Sequence, residues 1–423
     1  GAADVQEAGG RGGETGADSH DRSQLKKSPT FYLQVHEKLT FACRLWFNAR
    51  LYRAVSSAVE HCLHTAGVTG SIPVPPTKTI KNRPPRPVFC YVLSESDMTR
   101  LASRMPLIDA LKAIASQLIV LHHLASYGPV AEAMNRLMPT LNSWLFDYGR
   151  MAVQVFLVIG GFLAARALTT NGLPQVASPL SVSWRRYQRL VPSFMVAMLI
   201  AIAAAAMAKL WWADDAIPGE PSLWQFLAHG TLLHGVFGFE SLSAGVWYVA
   251  IDLQLFVMLA CLLWLSARLG SGIGTASIWA MLLVGSVGAM SLLHFNRLTE
   301  WDAWGVYFFG SYALGAAAYW ASGRGRSPLR MVLIAAVVAI ALIVEFRLRI
   351  ALAASMALLL AGARRTGMLE GWPNFRIMAW LGKVSYSVFL IHFPIVLLVN
   401  AAYFRLEPNG ALSGLVAVIF AWA

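Results

Sequence analysis

The sequence predicts an all-α fold, a polytopic bundle of about ten transmembrane helices. The chain has 423 residues, of which 57% are hydrophobic and only 13% are charged. A soluble domain carries about 25% charged residues, so this composition is typical of a protein that faces lipid. A helix needs about 20 apolar residues to cross a bilayer core of roughly 30 Å, and lipid allows spanning segments to satisfy their backbone only as helices or closed barrels. The candidate spans are residues 107–127, 147–168, 191–212, 244–266, 273–293, 303–321, 331–347, 350–363, 384–403 and 411–423.

A polar segment precedes the spans. Residues 1–97 contain no apolar stretch of spanning length and no convincing signal peptide. Within them, residues 56–79 ("SSAVEHCLHTAGVTGSIPVPPTKT") resemble the peptide obtained by translating a bacterial serine tRNA gene. We therefore expect native translation to begin near Met98 or Met105; a true disordered cytoplasmic extension is the alternative.

The transmembrane domain is expected over residues 98–423. The sequence ends with "LSGLVAVIFAWA", inside a hydrophobic run, so we expect this domain to be truncated at its C-terminus. The four cysteines have no spacing typical of a disulfide framework or a zinc site, and no metal is expected.

The basic residues predict the orientation of the spans. If the N-terminus is cytoplasmic, internal segments hold about twice as many Lys and Arg residues as external ones. The largest external loop, residues 213–243, contains acidic residues but no Lys or Arg. Because the basic residues cluster beside spans, the net charge of +12 indicates topology rather than nucleic-acid binding.

The first span carries a line of polar residues. Lys112 and His123 are eleven positions apart, so at 100° per residue they lie on one face, about 16 Å apart along the axis. Ser116 falls between them, Asp109 can pair with Lys112, and His122 points about 100° away. Snorkelling of Lys112 and a simple bundle histidine would also explain the pattern. Ionisable groups inside a membrane are costly, however, and a functional role is their default interpretation.

Five motifs occur in order along the spans. They are "LKAIASQLIVLHHL" with Lys112 and His123, "GRMAVQVFLVIGGFLAARAL" with Gly160, "SWRRYQRLVPSF" with Arg185, Arg186 and Arg189, "VWYVAIDLQLFVML" with Asp252, and "LGKVSYSVFLIHFPIV" with Ser385, Tyr386 and His392. Together they resemble acyltransferase family 3, the integral membrane O-acyltransferases of surface glycans. The resemblance covers about residues 100–423, with Lys112, Gly160 and Asp252 where that family more often has Arg, Ser and Glu.

The resemblance implies an enzyme of the bacterial inner membrane that moves an acyl group, expected to be acetyl, from cytoplasmic acyl-CoA. The acceptor would be a hydroxyl of a cell-surface polysaccharide, its lipid-linked precursor or a glycolipid. Acyl-CoA is then a co-substrate, and no bound cofactor is expected. A hydroxyl is a poor nucleophile and needs a base that titrates near neutral pH, which suits histidine. We expect His123 to be this base; a brief acyl-imidazole on the same ring is the alternative.

The remaining candidates divide between the acyl-CoA head and the reacting centre. Arg and Lys bind phosphates through charge-assisted hydrogen bonds, so Lys112 and the basic cluster of the third motif are expected to hold CoA. Positive-inside anchoring explains that cluster equally well. Asp252 is expected in the catalytic centre, where it could orient His123 or pair with an arginine. Asp109, Ser385, Tyr386 and His392 are further candidate substrate contacts, although Asp109 is most simply a counter-ion and His392 could be a packed histidine at a bend.

Two other functions remain open. A transporter or flippase for an anionic or lipid-linked substrate could line its path with the same ionisable residues. A non-enzymatic membrane scaffold would leave the polar line of the first span unexplained.

Overall fold

The described part of the chain is almost entirely helical. The computed structural model describes residues 104–215, 217–270, 275–323, 329–373, 375–406 and 412–422. Its helices are α1 (Pro106–Ser126), α2 (Gly128–Leu137), α3 (Pro139–Tyr148), α4 (Val153–Leu168), α5 (Pro179–Lys209), α6 (Leu223–Thr231), α7 (Trp247–Gly270), α8 (Ala276–Leu293), α9 (Gly305–Ala321), α10 (Leu329–Val344), α11 (Leu348–Thr366), α12 (Met368–Gly371), α13 (Arg376–Leu406) and α14 (Ser413–Trp422). The predicted N-terminal segment, residues 1–97, lies outside the described residues.

Short irregular elements join some of these helices. Two strands of two residues each, β1 (Thr169–Thr170) and β2 (Leu173–Pro174), pair antiparallel after α4. The 3-10 turns cover Gly149–Ala152, Phe295–Arg297 and Thr299–Trp301.

Each of the ten predicted spans overlaps a helix. Within the described residues, six helical segments are long and apolar enough to cross a membrane: Pro106–Ser126, Pro139–Leu168, Pro179–Lys209, Trp247–Gly270, Ala276–Arg297 and Arg376–Leu406. Of the other helices that match predicted spans, α9, α10 and α14 are shorter, and α11 carries Arg349, Arg364 and Arg365. The all-helical prediction is confirmed and a multi-pass membrane protein is supported. The count of ten spans and the cytoplasmic N-terminus stay predictions.

Helix α5 begins well before the hydrophobic stretch that predicted it. Ser178 caps its N-terminus by accepting a hydrogen bond from the Ser181 backbone N–H at 3.3 Å, and Pro179 occupies the first helical position. The basic segment ahead of the predicted span is therefore helical. Arg186 therefore lies on the same helix as the apolar part of α5, six residues before the internal Pro192.

Helices α1 and α13 run parallel and pack closely. Gly382 of α13 lies against the backbone of Asp109 near the start of α1, and His392 lies against His123 near its end. Glycine permits the close approach at the first crossing, because a Cβ at residue 382 would overlap the Asp109 carbonyl. This pairing brings the first and last sequence motifs together.

A second close crossing joins α4 and α9. Gly161 faces the Tyr312 carbonyl and Gly315 faces the Val158 carbonyl, and a methyl group at either glycine would overlap that carbonyl. Small residues let helix backbones approach in this way in membrane proteins. Fully buried Phe162 flanks the crossing, so α4 and α9 pack tightly against each other.

Candidate functional site

Two histidines from distant parts of the sequence form a buried pair. The rings of His123 on α1 and His392 on α13 stack with centroids 4.9 Å apart and an interplanar angle of 28°. His123 is 8% exposed and His392 is 4% exposed. Tyr127 stacks on His123 at 5.6 Å, and Phe393 meets it edge-on at 6.2 Å. The aromatic side chains thus confine both imidazoles to a largely apolar environment.

The hydrogen bonds of this pair define its free nitrogens. His392 Nδ1 lies 2.7 Å from the Phe389 carbonyl oxygen, and a carbonyl can only accept, so Nδ1 carries the hydrogen. His392 Nε2 and His123 Nδ1 are both buried and have no hydrogen-bond partner in the described part of the chain. Buried polar atoms are normally paired. Two unpaired imidazole nitrogens in one place are therefore characteristic of a site that receives a ligand or a proton.

The neighbouring His122 occupies a different face of α1. Its Nδ1 lies 3.1 Å from the Leu145 carbonyl oxygen, and its Cβ packs where Gly149 leaves room. This arrangement agrees with the 100° offset that separates the two histidines in sequence. His122 secures α1 to α3, whereas His123 faces α13.

The polar line at the start of α1 is an ion-paired cluster. Asp109 lies 3.6 Å from the Lys112 ammonium and 3.4 Å from Arg104 Nε. Ser116 is buried and donates to the Ala113 carbonyl of its own helix at 2.8 Å. Asp109 is thus the counter-ion of Lys112, as one of the interpretations predicted. The cluster keeps a net positive charge because two cations share one carboxylate.

Asp252 pairs with an arginine. Its Oδ2 accepts a hydrogen bond from the Arg186 guanidinium at 2.7 Å, and the Arg186 guanidinium also lies 4.6 Å from the centre of the Phe256 ring. Of the two alternatives for Asp252, orienting His123 or pairing with an arginine, the structure shows the second. Near the pair, Tyr312 has a buried hydroxyl that lacks a partner within the described residues, and sequence reasoning missed it because a tyrosine in an apolar span carries no motif.

Aromatic side chains connect the histidine pair with the ion pair. His392 contacts the Phe389 ring at 5.9 Å, and Phe389 contacts Tyr248 edge-on at 5.5 Å. Tyr248 lies four residues before Asp252 on α7, on the same helix face. A chain of contacts thus leads from the histidine pair on α1 and α13 through Phe389 to Tyr248 on α7, the helix that carries Asp252. Tyr248, which lies between the two centres, was not among the predicted site residues.

The remaining predicted site residues lie at different places on α5 and α13. Arg186 turns inward, while Arg185 and Arg189 are exposed. Tyr386 donates from its hydroxyl to the Leu190 carbonyl at 3.2 Å and so ties α13 to α5. Ser385 is buried and donates to the Gly382 carbonyl of its own helix at 2.9 Å.

Over the described ranges, no group of three or more His, Cys, Asp or Glu side chains is arranged to hold a metal ion. The site offers imidazole nitrogens and tyrosine hydroxyls, which suit proton transfer, beside one neutralised ion pair.

Comparison with known proteins assigns the family. The family model for acyltransferase family 3, described as an acyltransferase domain, matches residues 106–423. The chain belongs to this family. All five motifs and every predicted site residue lie inside the matched range.

One curated protein is similar to part of the chain. The "Regulator of hypoxia-inducible factor 1" of Caenorhabditis elegans is 25% identical to the chain over a match that covers 38% of this chain and 34% of that protein. The match thus spans about a third of the relative's length. No solved structure matches the chain significantly.

Proposed function

We propose that the chain is a membrane O-acyltransferase that moves an acetyl group from acetyl-CoA to a hydroxyl of a surface glycan, its lipid-linked precursor or a glycolipid. The observation that carries this proposal is the buried stack of His123 and His392 with two unpaired ring nitrogens, in a chain of an acyltransferase family. A thioester is activated for transfer, so the protein has to activate the acceptor hydroxyl and position both substrates.

The reaction needs one proton transfer in each direction. In this proposal His123 takes the proton of the acceptor hydroxyl as its oxygen attacks the thioester carbonyl carbon. The carbon–sulfur bond then breaks, an ester forms, and the CoA sulfur leaves with the proton returned by His123. His392 is the positioning residue: the Nδ1 bond to Phe389 fixes its ring against His123. The burial of both rings keeps water, a competing acceptor, away from the thioester.

The CoA head would bind at the basic end of α1. Lys112 and Arg104 share the Asp109 carboxylate, which leaves a net positive charge for a phosphate. The exposed Arg185 and Arg189 lie near the start of α5 and supply further cations. Lys112 and His123 are about 16 Å apart along α1, so a thin pantetheine arm has to extend between them. Arg186 is already neutralised by Asp252, and we assign that pair to shaping the site rather than to gripping a phosphate.

Acyl transfer by the purified protein tests the proposal. Wild type, His123→Ala and His122→Ala are incubated with radiolabelled acetyl-CoA and a panel of glycans, and labelled ester is quantified per folded molecule. We expect transfer to fall at least about 100-fold in His123→Ala, within the range for a lost general base, and to stay within about threefold of wild type in His122→Ala. Undiminished transfer in His123→Ala would remove this residue from the mechanism. Movement of a labelled glycan lipid across vesicles without acylation would instead favour the transporter.

A further inference from the structure

A large apolar groove lies on the side of the bundle formed by α8, α9 and α10. It encloses about 630 Å³, a volume in the range of small-molecule sites. Residues from all three helices line it, and most of them are apolar, such as Ile278, Leu282, Trp320, Leu333 and Val337. None of the predicted catalytic residues is among them.

Small side chains leave the space of this groove unfilled. Gly285, Ala289 and Ala317 line it, and a Cβ placed on Gly285 would meet no protein atom within 4 Å. Along α9 the lining extends from Gly310 to Ala321, which at 1.5 Å per residue is about 16 Å. That is about half of a hydrocarbon core of roughly 30 Å. The groove thus has the length of one membrane leaflet.

Two arginines of α11 lie next to one end of the groove, outside its lining. Arg365, which is exposed, donates a hydrogen bond to the carbonyl of the lining residue Ala321 at 2.9 Å. Arg364 lies over the Tyr319 ring with its guanidinium 3.8 Å from the ring centre, and it also donates to the Tyr319 carbonyl. A guanidinium has five N–H donors, so each arginine can bind an oxyanion in addition to these carbonyls. The groove therefore combines an apolar channel with a basic rim at one end.

We propose that this groove binds one anionic glycerophospholipid from the adjacent leaflet. An acyl chain fills the channel, and the phosphate lies on Arg364 and Arg365. Apolar surface alone would accept any lipid, since lipid tails are as apolar as the lining. The arginines provide selectivity, because basic pockets between transmembrane helices attract anionic headgroups and guanidinium groups bind phosphate through paired hydrogen bonds.

Two matched glycines allow the channel to be tested without disturbing the packing. Gly285 on α8 and Gly362 on α11 are both exposed helical residues whose added Cβ would meet nothing within 4 Å, but only Gly285 lines the groove. Native mass spectrometry of detergent-purified protein measures bound dioleoyl phosphatidylglycerol. We expect Gly285→Trp to weaken its binding at least about tenfold and Gly362→Trp to leave it unchanged. Equal loss in both variants, or no loss in Gly285→Trp, would overturn the groove as the site.

The rim is tested by headgroup preference. Each basic residue near an anionic headgroup contributes roughly a fivefold preference, so wild type is expected to favour phosphatidylglycerol over phosphatidylcholine at least about tenfold. Arg364→Gln with Arg365→Gln should remove this preference while phosphatidylcholine binding persists. Arg376→Gln, an exposed arginine at the start of α13, serves as the control. A preference that survives the double change, or tighter binding of a polyprenyl phosphate than of phosphatidylglycerol, would contradict the assignment.

Wild-type protein provides a measurement that does not depend on variant folding. Phosphatidylglycerol with a photoactivatable group in one acyl chain is irradiated with the protein, and the labelled peptides are identified. Label is expected in the peptides that contain Gly285 and Ala317. Label spread evenly over the other lipid-facing helices would show general solvation by lipid and overturn the proposal.

Discussion

His123 and His392 stack ring on ring although they are 269 positions apart in the chain. The parallel packing of α1 and α13 creates this contact, with Gly382 allowing the backbones to approach at the other end of the pair. The two ring nitrogens without a hydrogen-bond partner, His123 Nδ1 and His392 Nε2, are both buried away from solvent. Because each ring is held by contact with the other, we expect the two histidines to act as one unit in the proposed transfer.

The first prediction concerns His392. Replacing His392 with alanine is expected to lower kcat for acetyl transfer about 10- to 100-fold, because His123 loses the ring that positions it. The KM for acetyl-CoA should change little, since the CoA head is assigned to the far end of α1. Steady-state kinetics on folded protein check this, with the exposed His294→Ala as the control. A change confined to KM would place His392 in substrate binding instead.

The ion pair between Arg186 and Asp252 predicts strong coupling. Their side chains are 29% and 12% exposed, so removing one partner leaves a poorly solvated charge behind. We expect a double-mutant cycle of Arg186→Gln and Asp252→Asn to give a coupling energy of about 1–3 kcal/mol in the free energy of unfolding. The Arg297–Glu345 pair, 45% and 41% exposed, should give less than about 1 kcal/mol.

Denaturant titrations in detergent micelles measure both cycles. Equal coupling in the two pairs would contradict a special role for burial at Asp252. Destabilisation by Arg186→Gln that Asp252→Asn does not relieve would show that Arg186 contributes through its contact with Phe256 instead.

Lys112 is predicted to act through its charge. In Lys112→Ala the KM for acetyl-CoA should rise about 10-fold with little change in kcat, whereas Lys112→Arg should stay near wild type because Arg also binds phosphate. Lys383→Ala removes an exposed cation from α13 and is the matched control. Identical kinetics of Lys112→Ala and Lys112→Arg would argue against an anchoring charge.

The sequence predicts the helices better than their ends. Each predicted span overlaps a helix, because lipid requires long apolar segments to be helical. The start of α5 was missed because its first turns are polar and basic, and a hydrophobic window excludes them even when a Ser178 cap and Pro179 begin the helix. The short helices α2 and α6 were missed for a similar reason, since neither reaches spanning length.

The site was predictable where one helix supplies it. The spacing of Lys112 and His123 and the pairing of Asp109 follow from helical geometry, and so does the divergence of His122. Contacts between helices were not predictable in this way, because the hydrophobic periodicity of a span does not indicate which other spans it packs against. Pairing of Asp252 with an arginine was one of two open alternatives, but the sequence did not identify Arg186 as the partner, and the unpaired Tyr312 hydroxyl had no sequence signal.

We expect opposite effects on stability from Gly315→Ala, at the crossing of α4 and α9, and from Gly362→Ala, on α11. Gly315→Ala would drive a methyl group into the Val158 carbonyl, so the helices must separate. We expect a loss of about 1–3 kcal/mol in the free energy of unfolding, as for other overpacked sites. Gly362→Ala faces open space and should be neutral or stabilising by up to about 1 kcal/mol, because it restricts the unfolded chain. Similar destabilisation in both would indicate that helix flexibility, not close packing, sets the requirement for glycine.

The last prediction concerns two histidines outside the candidate spans. The rings of His229 and His234 stack face to face at 4.0 Å, and Ser241 Oγ lies 3.3 Å from His234 Nε2. Burial, reinforced by His229, lowers the pKa of His234 from 6.5 to about 4. Burial also lowers the pKa of His229. Both rings are therefore neutral in the folded loop at neutral pH.

Lowering the pH is expected to destabilise the loop that contains His229 and His234. Between pH 6.5 and about 4 the unfolded loop binds a proton at His234 that the folded loop does not, so stability falls as pH decreases through this window. The loss is at most about 3 kcal/mol at 1.36 kcal/mol per pKa unit. Limited proteolysis with an acid-tolerant protease should cut near residues 229–242 faster at pH 5 than at pH 7.5. His234→Gln should flatten this pH dependence, while the exposed His294→Gln should keep it. An unchanged pH profile in His234→Gln would assign the acid sensitivity to another group.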